Sequence, residues 1–470
     1  MQRALLILLV AASYLLLAGG RPWTLGPLLG LAVLIAVVAL RRTADFPREH
    51  RSLDLALLAI AAGVALQLLP LPVAVVNVIS PNTTRLAAAL QFVPMSAPPE
   101  WVPLSIKPMR TVQALAGVAI GILSFWASRA VFSAGGSTRW FCRMLALLGA
   151  LVAIAAVIQK ASTPKLLLFS VQPEARSTNP FGAFTNRNHF AAWLLLVAGP
   201  TAGYLIARLR MHQSNDPRMR AAIRGFLASG TVMTAMAAVL TLGVMVVTLS
   251  RSAMIGLGVA AIIAWRFGRR RMQFQRSTLP TRLGAIGVLL VVTMFFVDID
   301  GWAARMGETL TPGGSFGRAT IWQETLPIVR DFWITGTGAG TYSDAMTYYQ
   351  QTRVWVNSMH RWAHFNNAHS HYVQVAAEGG LLLTLPSLVA LAALWRLARR
   401  TLRADKGEMF WVRVGAAAGL AGLAAQSIFE VALTMPANAA LAGMLAGLLL
   451  YRRERSGDTD APGMLGPSRA

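Results

Sequence analysis

One cysteine, Cys142, stands in a chain of 470 residues. A single thiol excludes a disulfide within the chain and any metal centre built on several cysteines. Charge is also sparse: 13% of residues are charged against 55% hydrophobic, with a mean hydropathy of +0.53. That balance excludes an ordinary soluble domain and reads as a polytopic membrane protein. Acidic residues are the scarcest charges, 19 Asp and Glu against 43 Lys and Arg, for a formal net charge of +24. Such an excess invites a nucleic-acid reading, but the basic residues form no single patch. They recur in clusters between apolar runs, as the positive-inside rule requires, so nucleic acid is not an expected partner. There is no internal repeat of the kind that marks many transporters. No small-x-small cleavage site precedes Arg21, so residues 1–20 count as a first span rather than a signal peptide.

The apolar runs predict an all-α fold of about twelve transmembrane helices. They cover 4–20, 25–40, 53–72, 111–128, 144–159, 189–207, 226–249, 252–265, 283–297, 371–395, 414–433 and 435–451. Placing both termini in the cytoplasm puts 29 of the 43 Lys and Arg on that side, although the opposite loops are far longer. The plan is then nine spans in 1–297, a large periplasmic loop in 298–370, three spans in 371–451 and a cytoplasmic tail in 452–470. The loop is expected to form a small helical subdomain, with an interfacial helix over Trp322–Arg330.

Arg251 is the only charged residue between Arg224 and Arg266, within a 41-residue apolar stretch. That stretch covers the hydrocarbon core twice, which puts Ser250-Arg251-Ser252 at the tip of a helical hairpin. The second leg, 252–265, rises only about 21 Å against a core of about 30 Å, so Arg251 is expected below the membrane surface. A guanidinium there is costly unless it faces protein, water or an anion, and it reads as functional. The plainer alternative is an arginine that snorkels to the headgroups.

Three segments on the expected outer face are long enough to carry chemistry: 73–110, 160–188 and 298–370. Five of the seven histidines, His189, His360, His364, His369 and His371, lie there or at its boundary. Arg187, Arg251 and Arg318 stand near span ends or in Gly-flanked turns. Arginine binds phosphate through a planar fork, and histidine is the usual general base near neutral pH. Together they fit a diphosphate leaving group and a hydroxyl nucleophile.

Other signals read as structural. Asp298-Ile299-Asp300 spells a DxD but follows a span directly, as interfacial solvation. His360 and His364 have zinc-like spacing without a neighbouring carboxylate. Trp355, Trp362, Tyr342, Tyr348 and Tyr349 suit sugar stacking or an interfacial belt equally. Glu378 and Glu430, near outer span ends, could pair with the arginines, in an order the sequence leaves open.

Four stretches carry a resemblance: Asn179–Phe190 (NPFGAFTNRNHF), Thr248–Ala253 (TLSRSA), Gly314–Gly340 and Ala368–Leu383 (AHSHYVQVAAEGGLLL). In this order, over roughly 110–450, the chain resembles the O-antigen ligase and polymerase superfamily of bacterial envelope glycosyltransferases. The resemblance implies transfer of a glycan from an undecaprenyl-diphosphate carrier to a hydroxyl acceptor. The acceptor is lipid A-core for a ligase, or another carrier-linked chain for a polymerase. The site is the outer face of the inner membrane, and no cofactor is implied. By the same resemblance His369 is the catalytic histidine, and Arg251, Arg318 and Arg187 bind the donor diphosphate. Asn188, Asn367, Ser370 and Trp322 support them. The arginines take the place of a divalent metal, and the expected reaction is a single inverting displacement. Asn367 is read as the N-cap of the helix that follows, whose positive end favours a neutral His369 and attracts the anionic donor. The ligase branch carries His, then Asn, Ser or Gln, nine residues and Gly-x-x-Gly-Thr-Thr. Here Leu383 and Leu385 replace the second Gly and second Thr, so ligase and polymerase both stay open. The rival class is a lipid-linked sugar transporter, which should place charges in mid-membrane on several helices rather than toward one face.

Overall fold

The computed structural model describes residues 2–41, 48–90, 99–133, 137–173, 179–211, 230–272, 318–353, 355–356, 361–407 and 409–451. Their apolar runs are helical, because backbone in apolar surroundings must satisfy its own polar groups and a helix does so within one segment. In chain order the helices are α1 (Gln2–Leu15), α2 (Pro22–Leu40), α3 (Arg51–Leu66), α4 (Val73–Ile79), α5 (Pro81–Ala89), α6 (Pro108–Ser133), α7 (Ser137–Ser162) and α8 (Arg187–Met211). Then come α9 (Thr231–Val247), α10 (Arg251–Met272), α11 (Arg318–Asp331), α12 (Tyr342–Tyr349), α13 (His371–Ala404), α14 (Phe410–Gln426) and α15 (Pro436–Leu450). By length and composition, five are long and apolar enough to cross a membrane: α2, α6, α7, α8 and α13. The helices α1, α9 and α15 are apolar but shorter.

Eleven expected spans fall on helices, and 283–297 lies outside the described residues. The boundaries differ where local chemistry intervenes. The first helix stops at Leu15, and Leu17 and Ala18 then take positive φ. The third stops at Leu66, and Leu71–Pro72 pair antiparallel with Trp101–Val102. The segment after it forms α4 and α5, each opened by a proline just before or at its first residue, where the missing N–H costs nothing. The largest correction is α10. It does not end at Trp265 but continues through Arg266, Arg269 and Arg271 to Met272. Its 22 residues rise about 33 Å, so a short second leg no longer argues for a submerged Arg251.

Helix α8 and helix α10 both run antiparallel along α14, and α6 lies along α15. The contacts are backbone-close. A Cβ on Gly256 of α10 would stand 2.7 Å from the Gly422 carbonyl oxygen of α14, and Gly199 of α8 meets Gly415 in the same way. Between helices in lipid, packing rather than water exclusion drives association, and small residues permit it. At the far end of the pair, Arg271 donates to the Asp405 carbonyl at 2.5 Å, just ahead of α14. This register brings the first residues of α8 and α10 level with the end of α14, which we call the site end.

Residues 318–353 and 361–379 build a second, small core from Ile321, Ile328, Phe332, Tyr342, Met346, Phe365 and Ala377. Tyr342 and Tyr349 serve that packing, through hydrogen bonds to Thr325 (2.7 Å) and Asp331 (2.9 Å). Helix α13 is broken at Gly380 (φ 51°, ψ −149°), so His371–Gly379 form a half-helix that packs with this core. Only glycine fits the break: a Cβ there would lie 2.6 Å from the Ile334 carbonyl carbon.

Candidate active site

The turn before α8 is set by aromatics. Phe181 stacks on Phe190 at 5.3 Å between ring centroids, and Phe190 stacks on Trp193 at 6.4 Å. This holds Asn186 at the helix entrance, where its Oδ1 accepts the Asn188 backbone N–H at 2.8 Å, an N-cap interaction. Asn188 and His189 consequently project from the first turn of α8. Gln426 donates to the Asn188 carbonyl (2.9 Å) and Asn438 to the His189 carbonyl (3.1 Å), tying the turn to α14 and α15.

The His369 loop is braced from three sides. Trp322 of α11 donates to the Ala368 carbonyl at 2.9 Å, and Ala368 N–H donates to Gln374 at 3.1 Å. His369 N–H donates to Asn367 Oδ1 at 3.1 Å. Here the sequence expectation is corrected: Ser370, not Asn367, caps the helix, its hydroxyl accepting the Val373 N–H at 3.5 Å. Asn367 instead closes an Asx-type turn that holds His369 at φ +47°, a left-handed conformation that a residue with a Cβ adopts at a cost. Such strain is concentrated at functional sites. His371 N–H then donates to the Ser427 carbonyl at 2.8 Å, docking the half-helix onto the end of α14.

Three residues beyond Ser427, Glu430 gathers the site. Its side chain is 1% exposed. Asn188 Nδ2 donates to Oε1 at 2.5 Å, Arg318 reaches Oε1 at 3.5 Å, and His369 Nδ1 stands 3.7 Å from it. His189 Nε2 lies 3.8 Å from Oε2. The Arg318 guanidinium also sits over the Phe429 ring, 5.8 Å from its centroid. His369, His189 and Arg318 are thus the ionisable groups that face this carboxyl. Several buried atoms here have no hydrogen-bond partner: Glu430 Oε2, both ring nitrogens of His189, Arg318 Nε and His369 Nδ1. Buried polar atoms are normally paired, so this concentration marks a place that handles polar ligands.

Asn188, Arg318 and His369 thus converge on one carboxylate, with Trp322, Asn367 and Ser370 supporting the loop. Arg187 and Arg251 open α8 and α10 at the same end of the bundle, half-buried, and are associated with the site by position. Glu430 was legible as an unassigned acid. His189 was legible as an outer-boundary histidine adjoining Arg187 and Asn188, and neither was expected at the centre. His364 lies in extended chain after the strand Arg361–Trp362, where it contacts Ser343, so it offers no helical metal pair. His360, Asp298 and Asp300 are outside the described residues.

Residues 236–388 match the family model for O-antigen ligase. The match supports an O-antigen-ligase-type region within the chain. The matched segment is about a third of the chain and contains Arg251, Arg318, Trp322, Asn367, His369 and Ser370. Asn188, His189 and Glu430 lie outside it. No curated protein matches the chain. That match, with the apolar helices, supports a membrane protein related to O-antigen ligases.

Proposed function

We propose that this protein is a metal-independent, inverting membrane glycosyltransferase. It moves a glycan from an undecaprenyl-diphosphate carrier to a hydroxyl of lipid A-core at the periplasmic face of the inner membrane. In this reading about twelve spans place both termini in the cytoplasm and the 298–370 loop in the periplasm. The observation that carries the proposal is the buried Glu430 carboxylate with His369 Nδ1 and Arg318 against the same oxygen.

The chemistry follows from that arrangement. A proton on Nδ1 is directed at Glu430, which leaves the Nε2 lone pair as the base. The acceptor hydroxyl gives its proton to Nε2 while its oxygen attacks the anomeric carbon from the side opposite the leaving group. The bond between that carbon and the diphosphate oxygen breaks, and the electron pair leaves with the diphosphate. Arg318, Arg251 and Arg187 neutralise the charge that develops there. Glu430 stabilises the imidazolium as it forms, the role of the carboxylate in a Ser-His-Asp arrangement.

A polymerase that joins carrier-linked units is the second reading, because Leu383 departs from the ligase pattern. Leu383 is buried against Val64 and Ala339, and a Cβ on Gly63 would lie 2.7 Å from its Cδ2. That part of the departure is accommodated by packing, whereas Leu385, in place of the second Thr, is exposed. The test is reconstitution of the full chain with a carrier-linked glycan and, separately, lipid A-core or a second carrier-linked glycan. Product on lipid A-core alone supports ligation, and a lengthened carrier-linked chain supports the polymerase. No covalent product with either acceptor overturns the transferase.

A further inference from the structure

A second space lies on the other side of the His371–Ser427 contact. Helices α3, α6, α13 and α15 line a half-open cavity of about 1190 Å³. That exceeds the roughly 300–1,000 Å³ of sites for drug-sized ligands. Its walls are apolar, with Gly117 of α6 and Leu388 and Leu391 of α13 among them, while its basic groups gather where α6 begins. Lys107 precedes α6 and Arg110 lies in its first turn, beside the Gly340 turn at the site end. Arg21 lines the same mouth and donates to the Gln172 carbonyl at 2.6 Å. Two carboxyls also line it, Asp344 and Glu378, but Glu378 is committed to the N–H groups of Gly340 (2.9 Å) and Tyr342 (3.0 Å) and to Gln374 (3.1 Å).

An apolar chamber with cations at one end fits an amphiphile with an anionic head. These cations are distinct from Arg318, which faces Glu430. The chamber is bounded by His371 and Ser427, two residues after His369 and three before Glu430. A lipid held there presents its headgroup beside the base instead of taking the donor's place. We propose that this cavity seats the lipid tail of the glycan acceptor, a phosphorylated membrane lipid whose phosphate rests against Lys107 and Arg110. The assignment of the occupant as acceptor rests on the transferase reading above.

Photolabelling tests this without turnover. The full chain in phosphatidylcholine nanodiscs is exposed to lipid A-core bearing a diazirine in an acyl chain, and the adducts are mapped by mass spectrometry. Adducts are expected on the cavity faces of α6 and α13, and undecaprenyl diphosphate should not displace them. Gly117→Phe should cut labelling about tenfold by filling the chamber, because a Cβ there meets nothing nearer than Pro436 Cγ at 4.0 Å. The double variant Lys107→Glu, Arg110→Glu, whose substitutions sit at the mouth and spare the packed core, should weaken labelling by about tenfold. Displacement of the label by undecaprenyl diphosphate would assign the cavity to the donor and overturn the proposal. So would adducts elsewhere, or labelling indifferent to both variants. Cavity labelling with no transfer from any donor would instead sink the transferase reading and leave the lipid site standing.

Discussion

Glu430 and Glu378 are both buried glutamates toward the site end, and the difference lies in who meets them. Glu378 accepts two backbone N–H groups from the Gly336–Gly340 turn and its successor, plus Gln374 on its own half-helix. Gln67 reinforces the same turn, donating to the carbonyls of Thr335 (2.7 Å) and Glu378 (2.9 Å) and accepting from Ala339 N–H (2.9 Å). Two of its three partners are fixed backbone, and no oxygen of Glu378 is left unpaired. Glu430 meets side chains from α8, α11 and the His369 loop, with one oxygen and several neighbouring donors unsatisfied. A completed set of backbone partners is a lock. An incomplete set of charged partners is a place where a ligand supplies the rest.

The sharpest way to break this comparison is to exchange the two acids' consequences. His369→Ala should lower turnover by about 10²- to 10⁴-fold with donor binding retained, and Glu430→Gln by about 10²-fold or more. Glu378→Gln should cost far less turnover per folded molecule. Single-turnover transfer and donor binding by the reconstituted protein decide it, and equal losses for the two glutamines would erase the distinction. Next in size, Arg318→Ala should reduce transfer by about 10²-fold, and Arg318→Lys should recover little of it, because an ammonium cannot reproduce the fork. A lysine variant close to wild type would mean that only bulk charge matters there.

The converse experiment concerns stability. Glu378→Ala leaves the buried Tyr342 N–H and the part-buried Gly340 N–H without their acceptor and should destabilise the protein by about 1–3 kcal/mol, read as a lower thermal midpoint in detergent. Glu430→Gln should shift that midpoint less.

Much of the site was legible one residue at a time. Arg318, His369, Asn188, Trp322 and Ser370 were all expected, yet Asn367 was given the capping role of Ser370. Both can accept a backbone N–H locally, and only the path of the chain at His369, with its positive φ, decides which one meets the helix. Glu430 stayed unassigned because its partners come from distant segments: Asn188 is 242 positions away in sequence.

The sequence by itself determined where helices form and which residue types the site would contain. An apolar run must close its own hydrogen bonds, and that requirement is local. Composition also pointed to the membrane class, and the ordered motifs to the O-antigen ligase resemblance. Where helices run on or break was decided by tertiary structure: α10 passes Trp265 to Arg271, which finds the Asp405 carbonyl, and α13 breaks at Gly380, where the Ile334 backbone crowds the chain. The convergence on Glu430 was decided there too. It depends on the antiparallel register that Gly256 and Gly422 set between α10 and α14, and on the docking of His371 onto Ser427. Those are contacts between surfaces far apart in the chain, and no local pattern encodes which surfaces meet.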